Sequence, residues 1–150
     1  SDEMIFFARG SDRLTPFTRP LNLKRSSRPA LQPVFDFEAH ADQILSHSRS
    51  DLVPAELLNP DSQPGEPPLD LILFPRYEAG ATCRLQRLTG AQTGLALMEC
   101  LVNARNLPEH GFPEVVRLAR SAPGYVLRYR CFEEIEDDMG ELLRIRPSGV

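Results

Sequence analysis

Two groups of charged residues near the start of the chain could take part in phosphate chemistry. Asp2 and Glu3 directly precede the apolar run at residues 4–7, and adjacent carboxylates at a strand end can bind a hard cation or accept a proton in phosphoryl transfer. Residues 19–28 hold four cations, Arg19, Lys24, Arg25 and Arg28, and no anion. The four cationic side chains either donate hydrogen bonds to a phosphate or form the solvated face of a loop. The acidic pair either binds a cation or is an ordinary exposed dipeptide.

Two further candidates lie later in the chain. His47 stands in the segment SHSR beside Arg49, where the two side chains could contact a substrate phosphate, although an exposed loop histidine needs no such role. Arg76 follows the apolar run at residues 69–74. Because ligands of α/β proteins gather beyond the carboxyl ends of strands, Arg76 either contacts a ligand or covers the end of the strand.

Several function classes have no motif in this sequence. The 150 residues contain no G-x-x-x-x-G-K-[ST], G-x-G-x-x-G, G-x-S-x-G or H-E-x-x-H pattern. The formal net charge of −4 gives no electrostatic case for nucleic acid, and the longest apolar run is too short to cross a membrane. Three widely spaced cysteines without a C-x-x-C pair favour neither a disulfide framework nor structural zinc, and they predict a reduced, cytoplasmic setting.

Apolar periodicity predicts the elements that position these residues. Strands are expected at residues 4–7, 14–17, 21–23, 69–74, 81–88 and 124–130. Helices are expected after Thr89, as N-cap, up to Asn106, over Phe112–Ser121 with Pro113 in its first turn, and over 132–143. Residues 25–68 form an irregular, proline-rich segment, in which 36–47 could be a short helix and 59–68 a loop.

The predicted order of elements places the fold class. Strands, an irregular segment, two strands, two helices, a strand and a helix are typical of an α/β or α+β protein. The length suits a single domain, and because the apolar stretch follows Asp2-Glu3 so directly, we expect that residues 1–150 form either one domain or a fragment of one.

Four segments, in this order, resemble one family. They are SDEMIFF, TPFTRPLNLK, LILFPRYEAGATCRLQRLTGAQ and HGFPEVVRLARSAPGYVLRYRCFEEI. The succession is similar to the carboxy-terminal half of kinases related to HPr kinase/phosphorylase and spans nearly the whole chain. The resemblance implies the carboxy-terminal portion of a phosphoenolpyruvate carboxykinase-like mixed sheet with flanking helices.

The resemblance also implies roles at matching positions. Asp2 and Glu3 would contact Mg²⁺ or act as a base toward a hydroxyl, with ATP as phosphate donor and a small carrier protein or peptide as acceptor. Lys24, in PRPLNLK, resembles the R-P-x-x-L-K segment near the active-site rim, and Arg76 falls in the F-P-R-Y segment. His47 and Arg49 match a His–Lys/Arg–Gly element, except that Ser50 stands where relatives carry Gly.

Three functional hypotheses remain at this level. The chain is a portion of a nucleotide-dependent serine kinase without its phosphate loop, a non-catalytic partner-binding or regulatory module derived from that fold, or a folded remnant without a ligand. The phosphate loop of the family is expected before the first residue. A strand from that region would pair beside residues 4–7, so its absence would leave an open sheet edge, and we expect the chain to dimerise or aggregate.

The missing loop leads to a first prediction. Its backbone N–H groups and lysine hold and stabilise the transferring phosphates, so positioning and electrostatic stabilisation both fail without it. The purified 150-residue chain should therefore transfer no phosphate from Mg·ATP to a serine acceptor in a radiolabel assay. Steady transfer that Asp2→Asn abolishes would contradict this expectation.

Overall fold

The computed structural model describes residues 4–17, 19–61, 65–135 and 139–140. Within them the architecture is mixed α+β, with three small sheets and a few helices. The chain divides into two compact units. The first unit holds Ser1–Ala8 and Arg13–Pro67, and the second unit holds Arg9–Asp12 and Pro68–Val150.

The first unit contains two sheets. Strand β1 (Phe6–Phe7) pairs antiparallel with β2 (Leu14–Thr15), so strands form within both predicted ranges, 4–7 and 14–17, but each has only two residues. Strand β3 (Leu21–Lys24) belongs to a second sheet with β4 (Leu45–Ser46) and β5 (Ser50–Val53). Its order is β3-β5-β4, and both pairings are antiparallel. Short helices α1 (Arg28–Leu31) and α2 (Ala55–Leu58) flank these strands in sequence.

A small apolar core supports the second sheet of this unit. It consists of Phe35, Phe37, Ile44 and Val53, with Leu23, Leu31 and Leu57 packed against it. The two phenylalanine rings meet edge to face with centroids 4.8 Å apart, a favourable geometry for aromatic pairs. Residues 25–68 are therefore less irregular than their proline content predicts.

The predicted helix at residues 36–47 is wrong. Residues 37–43 form a series of turns instead, in which Asp36 Oδ1 accepts the N–H groups of Glu38 and Ala39, and Phe35 and Phe37 are both buried. Leu45, which was expected on the apolar helix face, is 61% exposed in β4. Pairing with β5 and burial of both phenylalanines thus outweigh the weak helical pattern.

The second unit is built on one mixed sheet. Strands β6 (Ile72–Tyr77), β7 (Arg84–Arg87) and β8 (Gly124–Tyr129) lie in the order β6-β8-β7. Strand β8 is parallel to β6 and antiparallel to β7. All three strands were predicted, but β6 begins three residues later than expected and runs through Pro75, which an edge strand tolerates.

Two helices precede β8 in this unit. Helix α3 (Gly90–Cys100) begins after Thr89, whose hydroxyl accepts the N–H of Gln92 while the Gln92 side chain accepts the N–H of Thr89. Helix α4 (Phe112–Ser121) has Pro113 in its first turn, as predicted. Helix α3 ends before the predicted Asn106. Short 3₁₀ turns occupy Arg25–Ser27, Ala104–Asn106 and Pro108–Gly111.

Half of the predicted third helix, residues 136–138 and 141–143, lies outside the described residues. Met139 and Gly140 are helical, whereas residues 132–135 form turns. The described core of this unit comprises Ile72, Val115, Ala119, Ala122, Tyr125 and Leu127.

Close packing of α3 on β8 requires a glycine at position 124. A Cβ atom there would lie 2.7 Å from Thr93 Cγ2 and closer still to Thr93 Oγ1, and Thr93 is fully buried. Gly124→Ala should destabilise the protein by about 2–3 kcal/mol in urea unfolding, because overpacking forces the helix and strand apart.

Two matched variants isolate this effect. Gly65→Ala should change stability by less than about 0.5 kcal/mol, because nothing lies within 4 Å of its added methyl group. Thr93→Ala should partly rescue Gly124→Ala, because it removes the clashing hydroxyl and methyl groups. Equal stability of Gly124→Ala and the parent chain would show that the helix does not pack this closely.

Candidate functional site

Strand pairing in the first unit gathers cations at one end of a sheet. Lys24 is the last residue of β3 and lies directly opposite Ser50, the first residue of β5. The backbone N–H of Arg25 donates to the carbonyl of Arg49 at 3.0 Å, and the N–H of His47 donates to the carbonyl of Ser50 at 2.8 Å. Lys24, Arg25, Arg28, His47 and Arg49 thus form one group, which we call the cationic end.

The two faces of this sheet separate the exposed charges from the buried one. Directly opposite residues of an antiparallel pair point to the same face, so Lys24 and Ser50 share one face, while Leu23, Ser46 and Asp51 share the other. Lys24, His47 and Arg49 are exposed. Asp51 is fully buried, on the face that carries Val53 and the phenylalanine core.

Asp51 is held by several polar groups. Arg28 Nε donates to Asp51 Oδ2 at 2.7 Å, and Ser46 Oγ donates to Asp51 Oδ1 at 2.8 Å. Arg25 Nε lies 3.7 Å from Oδ1. The Arg28 guanidinium also lies 4.9 Å from the centre of the Phe37 ring, a distance typical of a cation–π contact. The buried carboxylate therefore fixes β4, β5 and the start of α1 relative to one another.

This network sets the protonation of its members. The hydrogen bond from Arg28 holds the pKa of Asp51 below its ordinary value, against the opposing effect of burial. Further lowering of that pKa comes from the Ser46 hydroxyl and from the nearby charge of Arg25. The same hydrogen bond raises the pKa of Arg28. Asp51 is thus a carboxylate at neutral pH and is already satisfied by its own neighbours.

The remaining donors of the cationic end are available for a ligand. Within the part of the chain that the structure describes, Lys24, His47 and Arg49 have no ion-pair partner. The carboxylate of Asp51 is buried on the opposite face of the sheet. Exposed ammonium and guanidinium groups without a competing carboxylate are suited to a phosphate or a similar oxyanion.

The structure brings together three of the six predicted site residues. Lys24, His47 and Arg49 meet at the cationic end, although His47 follows Lys24 by 23 positions in the sequence. Asp2 and Glu3 lie outside the described residues. Arg76 belongs to the second unit and lies inside β6 rather than beyond its end, because the strand continues to Tyr77.

Arg76 stands at one end of a row of three arginines that was not predicted from the sequence. Arg76 lies directly opposite Arg128, and Arg128 lies directly opposite Arg84 on the other side. Like charges placed opposite each other destabilise a sheet by a few tenths of a kcal/mol per pair at an exposed site. Both partners follow from strand register over 44 or more residues, and no local pattern in the sequence indicates that register.

The described residues contain no evident metal cluster. Among residues 4–17, 19–61, 65–135 and 139–140, no group of three or more His, Cys, Asp or Glu side chains could hold a metal ion. The expected Mg²⁺ ligands, Asp2 and Glu3, are not among them.

Comparison of the chain with models of protein families, with curated proteins and with solved structures found no match. The functional assignment therefore depends on the geometry of the cationic end and on the sequence resemblance. In the portion of the chain described above, no helix is long and apolar enough to cross a membrane.

The buried ion pair yields a stability prediction. Asp51→Asn removes the buried charge that accepts from Arg28 and Ser46, and it leaves Arg28 with the exposed Glu38, 4.0 Å away, as its ion-pair partner, so we expect the first unit to lose about 2–3 kcal/mol. Hydrogen exchange of the β3 and β5 amides measures this loss within the unit itself. Asp42→Asn, in an exposed loop of the same unit, should change protection by less than about 0.5 kcal/mol.

The same carboxylate predicts an acid dependence. Because the folded pKa of Asp51 is lowered, its contribution to stability is complete above the unfolded pKa of about 3.9 and is lost as the pH falls through the folded pKa. The Asp51→Asn variant should lack this part of the acid response. Equal protection loss in the variant and the parent chain between neutral pH and pH 3 would contradict the assignment.

Proposed function

We propose that this chain is the carboxy-terminal portion of a phosphotransfer protein related to HPr kinase, and that its cationic end contacts a substrate phosphate. The proposal includes a phosphoenolpyruvate carboxykinase-like fold, and the mixed α+β architecture is compatible with such a fold. One observation supports it most directly. The pairing of β3, β5 and β4 assembles Lys24, His47 and Arg49, which the resemblance assigns separately to a rim segment and a histidine loop.

The cationic end has a construction suited to an anion. The Asp51 carboxylate neutralises Arg28 from within the core, so the sheet carrying Lys24 and Ser50 has a fixed position. The exposed donors then need little reorganisation when a phosphate arrives, and preorganised donors bind with less loss of side-chain freedom. The Ser50 hydroxyl, on the same face as Lys24, is a further donor to a phosphate oxygen.

The chemistry of the proposed reaction divides between several groups. Asp2 and Glu3 would hold Mg²⁺ or accept the proton of the attacking hydroxyl, and a glycine-rich loop would hold the phosphates of ATP. Lys24, His47 and Arg49 would position the phosphoryl group or the acceptor. A small carrier protein or a peptide with a serine hydroxyl is the proposed acceptor.

The phosphate contact can be tested with inorganic phosphate. Titration of the ¹⁵N-labelled 150-residue chain should move the amide signals of Ser48 to Asp51 and of Lys24, with saturation in the millimolar range. Lys24→Gln and Arg49→Gln should each weaken this binding by about five- to tenfold, because each removes a charged donor.

A charge-matched control separates a site from general attraction. Arg105→Gln removes the same charge from an exposed position of the second unit and should leave the binding at the cationic end unchanged. If all three variants bind phosphate alike, or if no signal near Lys24 moves, the phosphate role is wrong. The remaining hypotheses would then be a partner-binding or regulatory module without catalysis and a folded remnant without a ligand.

A further inference from the structure

We propose that Arg76, Arg128 and Arg84 form a second anion site, for a ligand that carries two or more linked phosphate groups. The three residues lie directly opposite one another across β6, β8 and β7. Paired residues on neighbouring strands share a face, so their side chains form one row on one face of the sheet. All three are exposed.

The row lowers the stability of the sheet rather than raising it. Like charges directly opposite each other repel, and here two such pairs share the central residue, Arg128. In the described part of the chain, Arg76 and Arg84 have no ion-pair partner. Among the described residues, Glu78 forms an ion pair with the row, and its Oε1 lies 3.8 Å from Arg128 Nη1 with both side chains about half exposed.

The spacing of the row favours linked phosphates over a single anion. Neighbouring strands lie about 4.8 Å apart, so the Cα atoms of the row span about 10 Å. Two adjacent guanidinium groups supply enough donors for a single phosphate, which leaves the third group of the row for a further phosphate. A chain of phosphates offers oxygens to each guanidinium fork in turn, and these forks match phosphate geometry in bidentate pairs.

The inference does not rest on the phosphotransfer proposal. The family resemblance assigns no role to Arg84 or Arg128, and the cationic end belongs to the other compact unit. Phosphate affinity at the row would therefore remain meaningful if the chain had no role in phosphoryl transfer. Conversely, phosphate binding at the cationic end would not by itself show that the arginine row binds phosphates.

Arginine side-chain NMR tests the row directly. In the 150-residue chain, tripolyphosphate should shift the Nε–Hε signals of Arg76, Arg84 and Arg128, and it should bind at least tenfold more tightly than orthophosphate. Arg84→Gln should weaken tripolyphosphate binding by about tenfold. Glu78→Gln should strengthen it about two- to threefold, because a competing carboxylate is removed from Arg128.

Thermal unfolding distinguishes a ligand site from a structural role. Without ligand, Arg84→Gln should unfold at the same or a higher temperature than the parent chain, because one repulsive pair is removed. A lower unfolding temperature together with unchanged tripolyphosphate affinity would overturn the inference. Lys24→Gln serves as the control, and it should not change the shifts at the arginine row.

Two further ligands decide what the row recognises. Tighter binding of ATP than of tripolyphosphate would identify a nucleotide as the source of the phosphates, and equal or weaker binding would identify the phosphate chain itself. Butanetetracarboxylate carries four carboxylates and comes close to tripolyphosphate in total charge near neutral pH. If it binds as well as tripolyphosphate, the row responds to charge alone, and the assignment to phosphates is wrong.

Discussion

The buried carboxylate of Asp51 is the interaction on which the first unit depends. A charge without water is costly unless hydrogen bonds and an opposite charge replace its hydration, and here Arg28 and Ser46 supply them. These partners come from three separate stretches of chain, so the carboxylate can be satisfied only when the strands have their observed register. A slip by one residue would turn Asp51 toward the exposed face and Ser50 toward the phenylalanine core.

Strand register also explains why cationic residues that are distant in the sequence lie side by side at both candidate sites. Each strand alternates its side chains between two faces, and pairing then places the exposed residues of neighbouring strands side by side. In the first unit this aligns Lys24 with Ser50 beside the turn that carries His47 and Arg49. In the second unit it aligns three arginines. The chain as a whole is acidic, with a net charge of −4, so these groups are local features that overall composition conceals.

The sequence predicts the elements of the second unit well because their signals are local. Thr89 and Gln92 form a capping box within one turn, and the apolar residues of β8 alternate over six positions. Strand β5 was missed because it has only four residues and contains a buried aspartate, a residue type that strands usually lack. The burial of this aspartate, Asp51, depends on Arg28, which is 23 residues away in the sequence. Long-range pairing of this kind also produces the arginine row, which no local pattern indicates.

The two groups of cations differ in how their charge is balanced. At the cationic end a buried carboxylate offsets Arg28 from the core side, so the protein itself compensates part of the charge. The arginine row has only a half-exposed glutamate at its centre, and that ion pair contributes little in water. The folded chain therefore retains uncompensated repulsion at the row and less at the cationic end. An anionic ligand relieves residual repulsion of this kind. Each bound negative charge should therefore stabilise the folded protein more at the row than at the cationic end.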